Sequence, residues 1–421
     1  MIKLNRKFLA AFFAAYVFLF PATIYAEDGV PAYISEAPPD VPPPAYITGG
    51  ETSDDNPPAY ITNPPPLDEP PIYNPPIEEP PIYTPPIETP THRNGEGLEF
   101  LVYNQNGVMA FAIIAAHEYY SVRPVLANNR VQGRATLSQI SSNYNEIAMI
   151  NASYFEPDGS IIGALEIDDM IVGTGEYTRS AIGINADGNI IFGKVGYYGV
   201  ININGNTFNI NGVDCDRPKD SIVLYNSRFG ASTNTNQYGV ELIIRNGIVT
   251  DVVRGRGNNY IPSDGYIISA QGDSRHLFAD VAVGDYVDLQ QGLISDNGQF
   301  GDAVHIISVG PRLVADGQVY VTADEEYFPD DIRVGRAPRS AFGVTQYGDY
   351  IFAVVDGRQA HSRGCTLQEW ADILINQFGA VDAINLDGGG STELIVKDAI
   401  VNIPSDGRER PVGSVLIILD R

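Results

Sequence analysis

The sequence predicts an α+β domain that contains more strand than helix, with mixed sheets and a few helices. From about Leu98 onward, short runs rich in β-branched and aromatic residues alternate with Gly, Asn and Asp, as in "SAIGINADGNIIFG" (180–193) and "GVELIIRNGIVTDVV" (239–253). Asn-Gly and Asp-Gly dipeptides between apolar runs are typical of hairpin turns. Helical patterns are few, so strands dominate the predicted fold.

Two segments have the pattern of a helix. The clearer one is Thr366–Phe378, where apolar residues fall along one side and Gly379 supplies a stop. Thr366 and Glu369 have the spacing of a capping box, in which each side chain bonds the other residue's backbone N–H. Thr136–Asn145 is a weaker candidate.

The chain contains an internal echo. "RSAIG" at 179–183 returns as "RSAFG" at 339–343, and each copy is followed by a turn and an apolar run. The echo predicts two pseudo-equivalent halves built on similar strands.

The N-terminal segment Met1–Ala26 has the features of a secretory signal peptide. A basic start precedes the apolar run Phe8–Phe20, and Ala26 is a small residue at a suitable cleavage point. The run is short for a membrane span, which needs about 20 residues. We therefore predict cleavage, with the mature chain secreted or associated with the cell envelope and not membrane-bound. An uncleaved anchor is the alternative.

Residues 27–95 form a Pro-rich acidic segment. Twenty of the thirty prolines lie between Pro31 and Pro90, and residues 27–92 contain no Lys or Arg. Proline fixes φ and removes a hydrogen-bond donor, so the segment is predicted to be a disordered, extended polyproline II spacer. A second interpretation is a tether that docks on another envelope component.

The net charge of the chain limits which binding partners are expected. The formal net charge of −26 argues against binding nucleic acid or an anionic membrane surface. An anionic substrate would need a local cluster of arginines. Cys215 and Cys365 lack the spacing of metal ligands, and the sequence leaves open whether they pair or stay free.

The segment "NLDGGGSTELIV" (385–396) raises the first functional question. Asn385 and Asp387 end an apolar run and would alternate with the residue between them. The bare backbone of Gly388–Gly390 can bring successive N–H groups close to an anion, and Ser391 adds a hydroxyl. The segment lacks the GK[ST] of a nucleotide-binding loop. A tight turn capped by the aspartate is the alternative.

Two further strand ends carry polar groups. "FAVVDGRQAHSRG" runs an apolar strand into Asp356, Arg358 and His361, where loops commonly build sites. A surface ion pair between Asp356 and Arg358, with His361 inert, is the alternative. "MINASYF" places Asn151 at another strand end, where its amide can donate to and accept from a sugar hydroxyl. A bond to its own turn is the alternative there.

With these motifs in view, the domain resembles the phosphodiester glycosidase family. Residues 354–396 resemble the family's signature throughout, apart from Cys365 at a usually aliphatic position. Ser340 also stands where Thr is commoner. Weaker matches follow the family's order: "MINASYF", "IPSDGYIISAQG", "GPRLVADG", "RAPRSAFG" and "NIPSDGRERPVGSVLIIL".

The resemblance implies a catalytic domain over residues 96–421. The expected reaction is hydrolysis of a sugar-1-phosphodiester of the N-acetylglucosamine-1-phosphate type, in an envelope polysaccharide or glycoconjugate. Asp387 and Asp356 are expected to act as general base, nucleophile or cation stabiliser, and His361 as a proton carrier. Contacts to phosphate or sugar are expected from Arg339, Arg358, Asn151, Asn385, Gly388, Gly389, Gly390, Ser391 and Arg410.

No cofactor is expected to be required, although paired Asp and Asn side chains would also suit Ca²⁺. Two other functions stay open at this point. One is a phosphodiesterase that cleaves the O–P bond of the same substrates. The other is a non-catalytic envelope module that binds anionic glycans.

Overall fold

A computed structural model describes residues 97–175, 178–295 and 298–421. The predicted signal peptide (1–26) and Pro-rich segment (27–95) lie outside these residues. All the described residues fall within one compact unit.

Strands make up most of the described chain. Their bounds, in chain order, are β1 (Leu98–Gln105), β2 (Val108–Ala115), β3 (Tyr120–Leu126), β4 (Ala148–Asn151), β5 (Tyr154–Phe155), β6 (Ile161–Ile162), β7 (Leu165–Ile167), β8 (Met170–Gly173), β9 (Arg179–Asn185), β10 (Ile190–Ile203), β11 (Asn206–Asn209), β12 (Gly212–Val213), β13 (Ile222–Asn226), β14 (Gly239–Arg245), β15 (Ile248–Arg254), β16 (Gly265–Gln271), β17 (Val287–Ile294), β18 (Ala303–Ser308), β19 (Arg312–Ala315), β20 (Gln318–Val319), β21 (Arg339–Thr345), β22 (Tyr350–Val355), β23 (Ala380–Asn385), β24 (Leu394–Val396), β25 (Ala399–Ile400) and β26 (Ser414–Asp420).

Helices are short and few. The α-helices within the described residues are α1 (Leu137–Ser141), α2 (Asp330–Arg333) and α3 (Leu367–Asn376). Tighter 3₁₀ turns cover Ala127–Asn129, Gly272–Phe278 and Gly389–Ser391. The prediction of a strand-rich α+β fold is confirmed.

The strands form four larger sheets and one hairpin. Sheet A has the order β1-β2-β22-β21-β23-β19-β20, and sheet B has β11-β10-β9-β18-β7-β8, with β17 also paired to β10. Sheet C has the order β12-β13-β16-β14-β15, and sheet D has β25-β24-β4-β26-β3. The hairpin pairs β5 with β6. Only β12 and β13 pair in parallel within the described chain, so antiparallel pairing dominates.

Sheet A is covered on both faces, as its sequence indicates. Successive side chains of a strand point to opposite faces. Phe342 and Phe352 pack into the core shared with sheets B and D. Their neighbours Ala341 and Ala353 pack with Trp370 of α3 on the other face. Burial on both faces explains why β21 and β22 are continuous apolar runs.

The predicted internal echo is visible in the topology. In sheet B, β9 lies between β10 and β18, and in sheet A, β21 lies between β22 and β23. Each triplet is antiparallel. After β18 the chain crosses to sheet A, where the Gly310 N–H donates to the Asn385 carbonyl and the Asn385 N–H to the Pro311 carbonyl. The two halves therefore meet at the end of β23.

The structure confirms where the two predicted helices begin, but both helices end earlier than predicted. Thr366 and Glu369 form the predicted capping box, and the helix ends at Asn376 instead of Phe378. The weaker candidate also starts with a capping box at Thr136 but ends at Ser141. There the Ser142 and Asn143 side chains bond the Gln139 carbonyl. Such local side-chain bonds compete with further helical turns.

The described chain has no helix that is both long enough and apolar enough to cross a membrane. Cys215 and Cys365 are free thiols, and Cys365 is fully buried beside α3.

Replacing Thr366 with Ala should destabilise the domain by about 1 kcal/mol, because the Glu369 N–H at the start of α3 loses its acceptor. Urea unfolding followed by Trp fluorescence measures the change. Thr366→Ser keeps the hydroxyl and should cost much less than the alanine variant. Equal losses in both variants would contradict a capping role.

Candidate active site

One edge of sheet A collects the predicted site residues. Because β21 runs antiparallel to β22 and β23, its start lies beside their ends. Arg339 pairs with Val355, and Ala341 pairs with Asn385. Asp356, one residue past the end of β22, and the loop that follows Asn385 therefore emerge at the same edge. The predicted strand ends are confirmed by the strand bounds.

Asn151 connects this edge of sheet A to sheet D. Its side chain is fully buried at the end of β4. The amide Nδ2 donates to the Asp387 carbonyl at 2.6 Å, and Oδ1 accepts from the Ser340 hydroxyl at 2.7 Å and the Glu393 N–H at 3.2 Å. Asn151 thus fixes the backbone on both sides of the glycine loop. These protein contacts, not open space, surround the residue that the sequence assigned to sugar binding.

The three glycines differ in what a side chain would meet at each position. A Cβ at Gly388 would lie 2.9 Å from the Pro338 carbonyl oxygen, and one at Gly390 would collide with the Arg410 guanidinium. Gly389 has φ of 63°, in the left-handed region that favours glycine. Each position excludes a side chain for its own reason.

The loop's N–H groups are mostly engaged within the protein. Gly388 donates to the Asp387 carboxylate at 2.8 Å, and Gly389 donates to the Pro338 carbonyl at 2.9 Å. Among the described residues, the Gly390 N–H is the one of the three without an acceptor. Gly390 is buried, however, whereas Gly388 and Gly389 are partly exposed.

Asp387 is the partly exposed carboxyl of the loop. Burial raises its pKa to about 6. The Ser391 hydroxyl, the Gly388 N–H and the Arg410 guanidinium oppose this rise because they favour the charged form. The carboxyl therefore changes its charge close to neutral pH.

Tyr154 and Asn385 form a hydrogen-bonded pair close to Asp387. The Tyr154 hydroxyl donates to the Gly310 carbonyl at 2.9 Å and accepts from Asn385 Nδ2 at 3.0 Å. Burial, followed by the charge of Asp387, raises the pKa of Tyr154 far above its usual range. Asn385 is 1% exposed, and its Oδ1 has no hydrogen-bond partner among the described residues. Tyr154 is therefore a neutral phenol at any physiological pH.

Asp356 and His361 form a pair. Asp356 is 1% exposed, and its Oδ2 lies 2.9 Å from His361 Nε2, whose side chain is one-third exposed. Asn402 Nδ2 and the Ile403 N–H also donate to the carboxylate, at 3.2 and 3.0 Å. Burial raises the pKa of Asp356, while its bonds to His361, Asn402 and Ile403 lower it. The carboxylate orients the imidazole, as a proton-carrying histidine requires.

Asn402 connects this pair to the glycine loop. Besides Asp356, its side chain donates to the Thr392 carbonyl at 3.1 Å and accepts from the Leu394 N–H at 2.9 Å. The Asp356 carboxylate therefore helps to hold the chain that leaves the loop.

The three predicted arginines differ in their surroundings. Arg339 is 3% exposed and donates to the carbonyls of Cys365 and Gly335. Burial lowers the pKa of Arg339 from its usual value. Arg358 is exposed, and its guanidinium lies 3.3 Å from where a Cβ of Gly389 would stand. Arg410 forms an ion pair with Asp406 at 2.6 Å. Arg358 and Arg410 thus flank the glycine loop, and Arg339 lies beneath it.

A cleft of about 780 Å³ opens beside Asp387. Of the predicted residues, it includes Asp387, Ser391 and Arg410. Asn151, Asn385, Asp356, His361, Arg339, Arg358 and Gly388–Gly390 are not among its lining residues. The lining residues are Arg134, Tyr154, Phe155, Pro157, Ile162, Asp387, Ser391, Asp406, Arg408, Glu409, Arg410 and Pro411.

Several lining residues are absent from the sequence prediction. Arg408 and Glu409 lie in "NIPSDGRERPVG", one of the motifs that resemble the family. Its several charged residues are a signal from which a site could have been predicted. No local sequence pattern indicates that Arg134 belongs to a site. It reaches the cleft because an antiparallel bridge joins Ala135 to Val412.

A buried carboxyl lies behind the cleft wall. Glu393 is 1% exposed, and burial followed by the nearby Glu409 carboxylate raises its pKa to about 9. Glu409 also accepts from the N–H and hydroxyl of Ser138, at 3.0 and 2.8 Å. Glu393 is therefore protonated at neutral pH and can donate to Glu409.

The family comparison identifies the class of domain. Residues 238–419 match the model of the family described as phosphodiester glycosidase, which confirms the resemblance predicted from the sequence. The chain is 33% identical, over 113 residues, to N-acetylglucosamine-1-phosphodiester alpha-N-acetylglucosaminidase of Bos taurus. That match covers 24% of this chain and 21% of the bovine protein.

Two microbial proteins are also similar. The SPbeta prophage-derived uncharacterized protein YomE of Bacillus subtilis (strain 168) is 37% identical over 81 residues, which cover 19% of this chain and 12% of that protein. The chain therefore spans about a fifth or less of the curated relatives it matches. The crystal structure of a hypothetical protein from Synechocystis superposes with a TM-score of 0.68 at 25% identity, covering 77% of this chain and 62% of that one.

Replacing Glu393 with Gln should stabilise the domain at pH 8 and not at pH 4. Between its usual pKa of 4.5 and about 9, the unfolded chain releases this proton and the folded chain keeps it, so stability falls as pH rises. Gln stays neutral and can still donate to Glu409. We expect a gain of about 1 kcal/mol or more at pH 8, measured by urea unfolding.

The matched control is Glu118→Gln, which changes an exposed side chain. It should give no comparable gain at pH 8. An equal or destabilising effect of Glu393→Gln at both pH values would mean that Glu393 is ionised in the folded protein.

Proposed function

We propose that the protein is an exported hydrolase that cleaves the sugar–oxygen bond of a sugar-1-phosphodiester. The proposed substrate class is an N-acetylglucosamine-1-phosphate type of linkage in an envelope polysaccharide or glycoconjugate. The observation that carries the proposal is Asp387, a carboxyl with a pKa of about 6 that lines the cleft beside Arg410. The family match over residues 238–419 and the name of the bovine relative support it.

The chemistry of the leaving group fits this arrangement. A phosphodiester departs as a stable anion, so it needs little protonation, unlike an alkoxide. The demand is instead for a carboxylate that stabilises an oxocarbenium-like transition state or activates the attacking group. Asp387 supplies that carboxylate above pH 6.

Positive groups beside Asp387 would hold the phosphate. Arg358 and Arg410 flank the glycine loop, and guanidinium binds phosphate oxygens in a bidentate manner. Arg339, with its backbone carbonyl partners, would support the loop from below.

The Asp356–His361 pair is proposed to carry a proton to or from the water that completes hydrolysis. No metal ion is needed in this mechanism. Among residues 97–175, 178–295 and 298–421, no three His, Cys, Asp or Glu side chains are grouped so that they could hold one. Calcium dependence is tested by running the assay below in EDTA.

The N-terminal segments complete the proposal. Residues 1–26 would direct export, and the Pro-rich segment 27–95 would tether or space the domain within the envelope. After cleavage, the mature protein would have no membrane partner.

The chemical test uses an α-N-acetylglucosamine-1-phosphate diester, with the anomeric carbon followed by NMR both with and without EDTA. Free N-acetylglucosamine is expected, with at least a hundredfold loss of rate in Asp387→Asn because the variant lacks the carboxylate. Asp382→Asn is the matched control, since Asp382 pairs with Arg312 away from the cleft.

The other outcomes separate the competing functions. Sugar-1-phosphate as product would mean that the O–P bond is cleaved. Binding of the diester without any product would mean a glycan-binding module. Either result would refute the proposed glycosidase, and loss of turnover only in EDTA would add a required metal.

The pH dependence tests the state of Asp387. Because its carboxylate is the active form, kcat/KM should rise about tenfold per pH unit below pH 6 and level off above it. Initial rates between pH 4.5 and 8 measure the profile. A rate that falls as pH rises through 6 would assign Asp387 the role of an acid instead.

A further inference from the structure

The arginines of this acidic chain are mostly paired. The sequence holds 52 acidic and only 26 basic residues, so a basic side chain readily finds a carboxylate. Within the described residues, the side chains of four arginines nevertheless have no hydrogen-bond or ion-pair partner: Arg130, Arg134, Arg358 and Arg408.

Three of these four gather at the candidate site. Arg134 and Arg408 line the cleft, and Arg358 lies against Gly389. Arg130 is exposed, as Arg134 and Arg408 are, but it does not line the cleft. A single phosphodiester carries one negative charge, and Arg358 and Arg410 already flank the glycine loop, so Arg134 and Arg408 are available for a further anion.

The two cleft arginines are held near each other by the backbone. Ala135 and Val412 exchange two N–H to carbonyl bonds, at 3.1 and 2.9 Å, which join the segments that carry Arg134 and Arg408. The Ser138–Glu409 bonds join the same segments again. The arginines therefore stand on a fixed wall and not on independent loops.

Among the described residues, no carboxylate lining the cleft forms an ion pair with Arg134 or Arg408. Arg410 is the partner of Asp406. The Glu409 carboxylate is engaged by Ser138 and by the protonated Glu393 behind it. The guanidinium groups of Arg134 and Arg408 are therefore available to bind a ligand in the cleft.

We propose that Arg134 and Arg408 bind a second phosphate, carried by the leaving group of the substrate, beyond the phosphate at the scissile bond. This inference rests on the proposed function and specifies its substrate class: a sugar-1-phosphate linkage whose leaving group carries a further phosphate. A cleft of about 780 Å³ has room for a sugar and such a leaving group. Two sources share this chemistry, a phosphate-containing polymer and a sugar linked through a diphosphate.

The test compares diesters of one sugar. Methyl α-N-acetylglucosamine-1-phosphate has one anionic group, and α-N-acetylglucosamine-1-phosphoglycerol 3-phosphate has a second. The wild-type protein should favour the second substrate in kcat/KM by roughly tenfold or more, since hydrogen bonds between charged groups are strong. Added salt should reduce this preference.

Variants identify the groups responsible. The double variant Arg134→Gln/Arg408→Gln should lose the preference and keep its rate on the methyl diester within about threefold, because the scissile phosphate contacts remain. Arg130→Gln is the matched control and should keep the preference. A sugar nucleotide with a diphosphate link, tested alongside, distinguishes an adjacent second phosphate from one separated by glycerol.

The outcomes also distinguish this inference from the proposed function. Equal turnover of both diesters by the wild type would overturn the second-phosphate site and leave the glycosidase intact. Equal losses on both diesters in the double variant would assign the two arginines to the scissile phosphate and likewise overturn it. If neither diester is hydrolysed, titration calorimetry of both with Asp387→Asn decides, and equal affinities would refute the inference.

Discussion

The buried amide of Asn151 is the contact on which the rest of the site depends. It bonds Ser340 in sheet A, the Asp387 carbonyl and the Glu393 N–H, so it fixes the glycine loop at both ends. A primary amide can do this because it donates and accepts at once. With the backbone held, the loop can leave the Asp387 carboxyl partly exposed without moving away from sheet A.

Acidic residues outnumber basic residues two to one in this protein. An acidic chain would repel an anionic substrate unless its few arginines were kept free at one place. At the candidate site, the side chains of Arg134, Arg358 and Arg408 have no carboxylate partner among the described residues. The same environment keeps Asp387 near its point of ionisation, so binding an anion beside it would further raise its pKa.

Features encoded by neighbouring residues could be predicted from the sequence. The cap of α3, the strand ends at Asn151, Asp356 and Asn385, and the echo of β9 in β21 all depend on local pattern. The cleft could not be predicted, because it requires β4 to register with β24 and β26 across more than 200 residues. Glu393 was missed for the same reason: only the fold brings Glu409 against it.

The pairing of sheet D has a consequence for dissecting the protein. Its strands come from two distant parts of the chain, since β3 and β4 precede residue 152 and β24 to β26 follow residue 393. The region that matches the family model, 238–419, therefore holds Asp387 and Arg410 but not Asn151, Tyr154 or Arg134. A contiguous fragment cut to that region would contain the signature motif and still lack one wall of the cleft and the amide that positions its carboxyl.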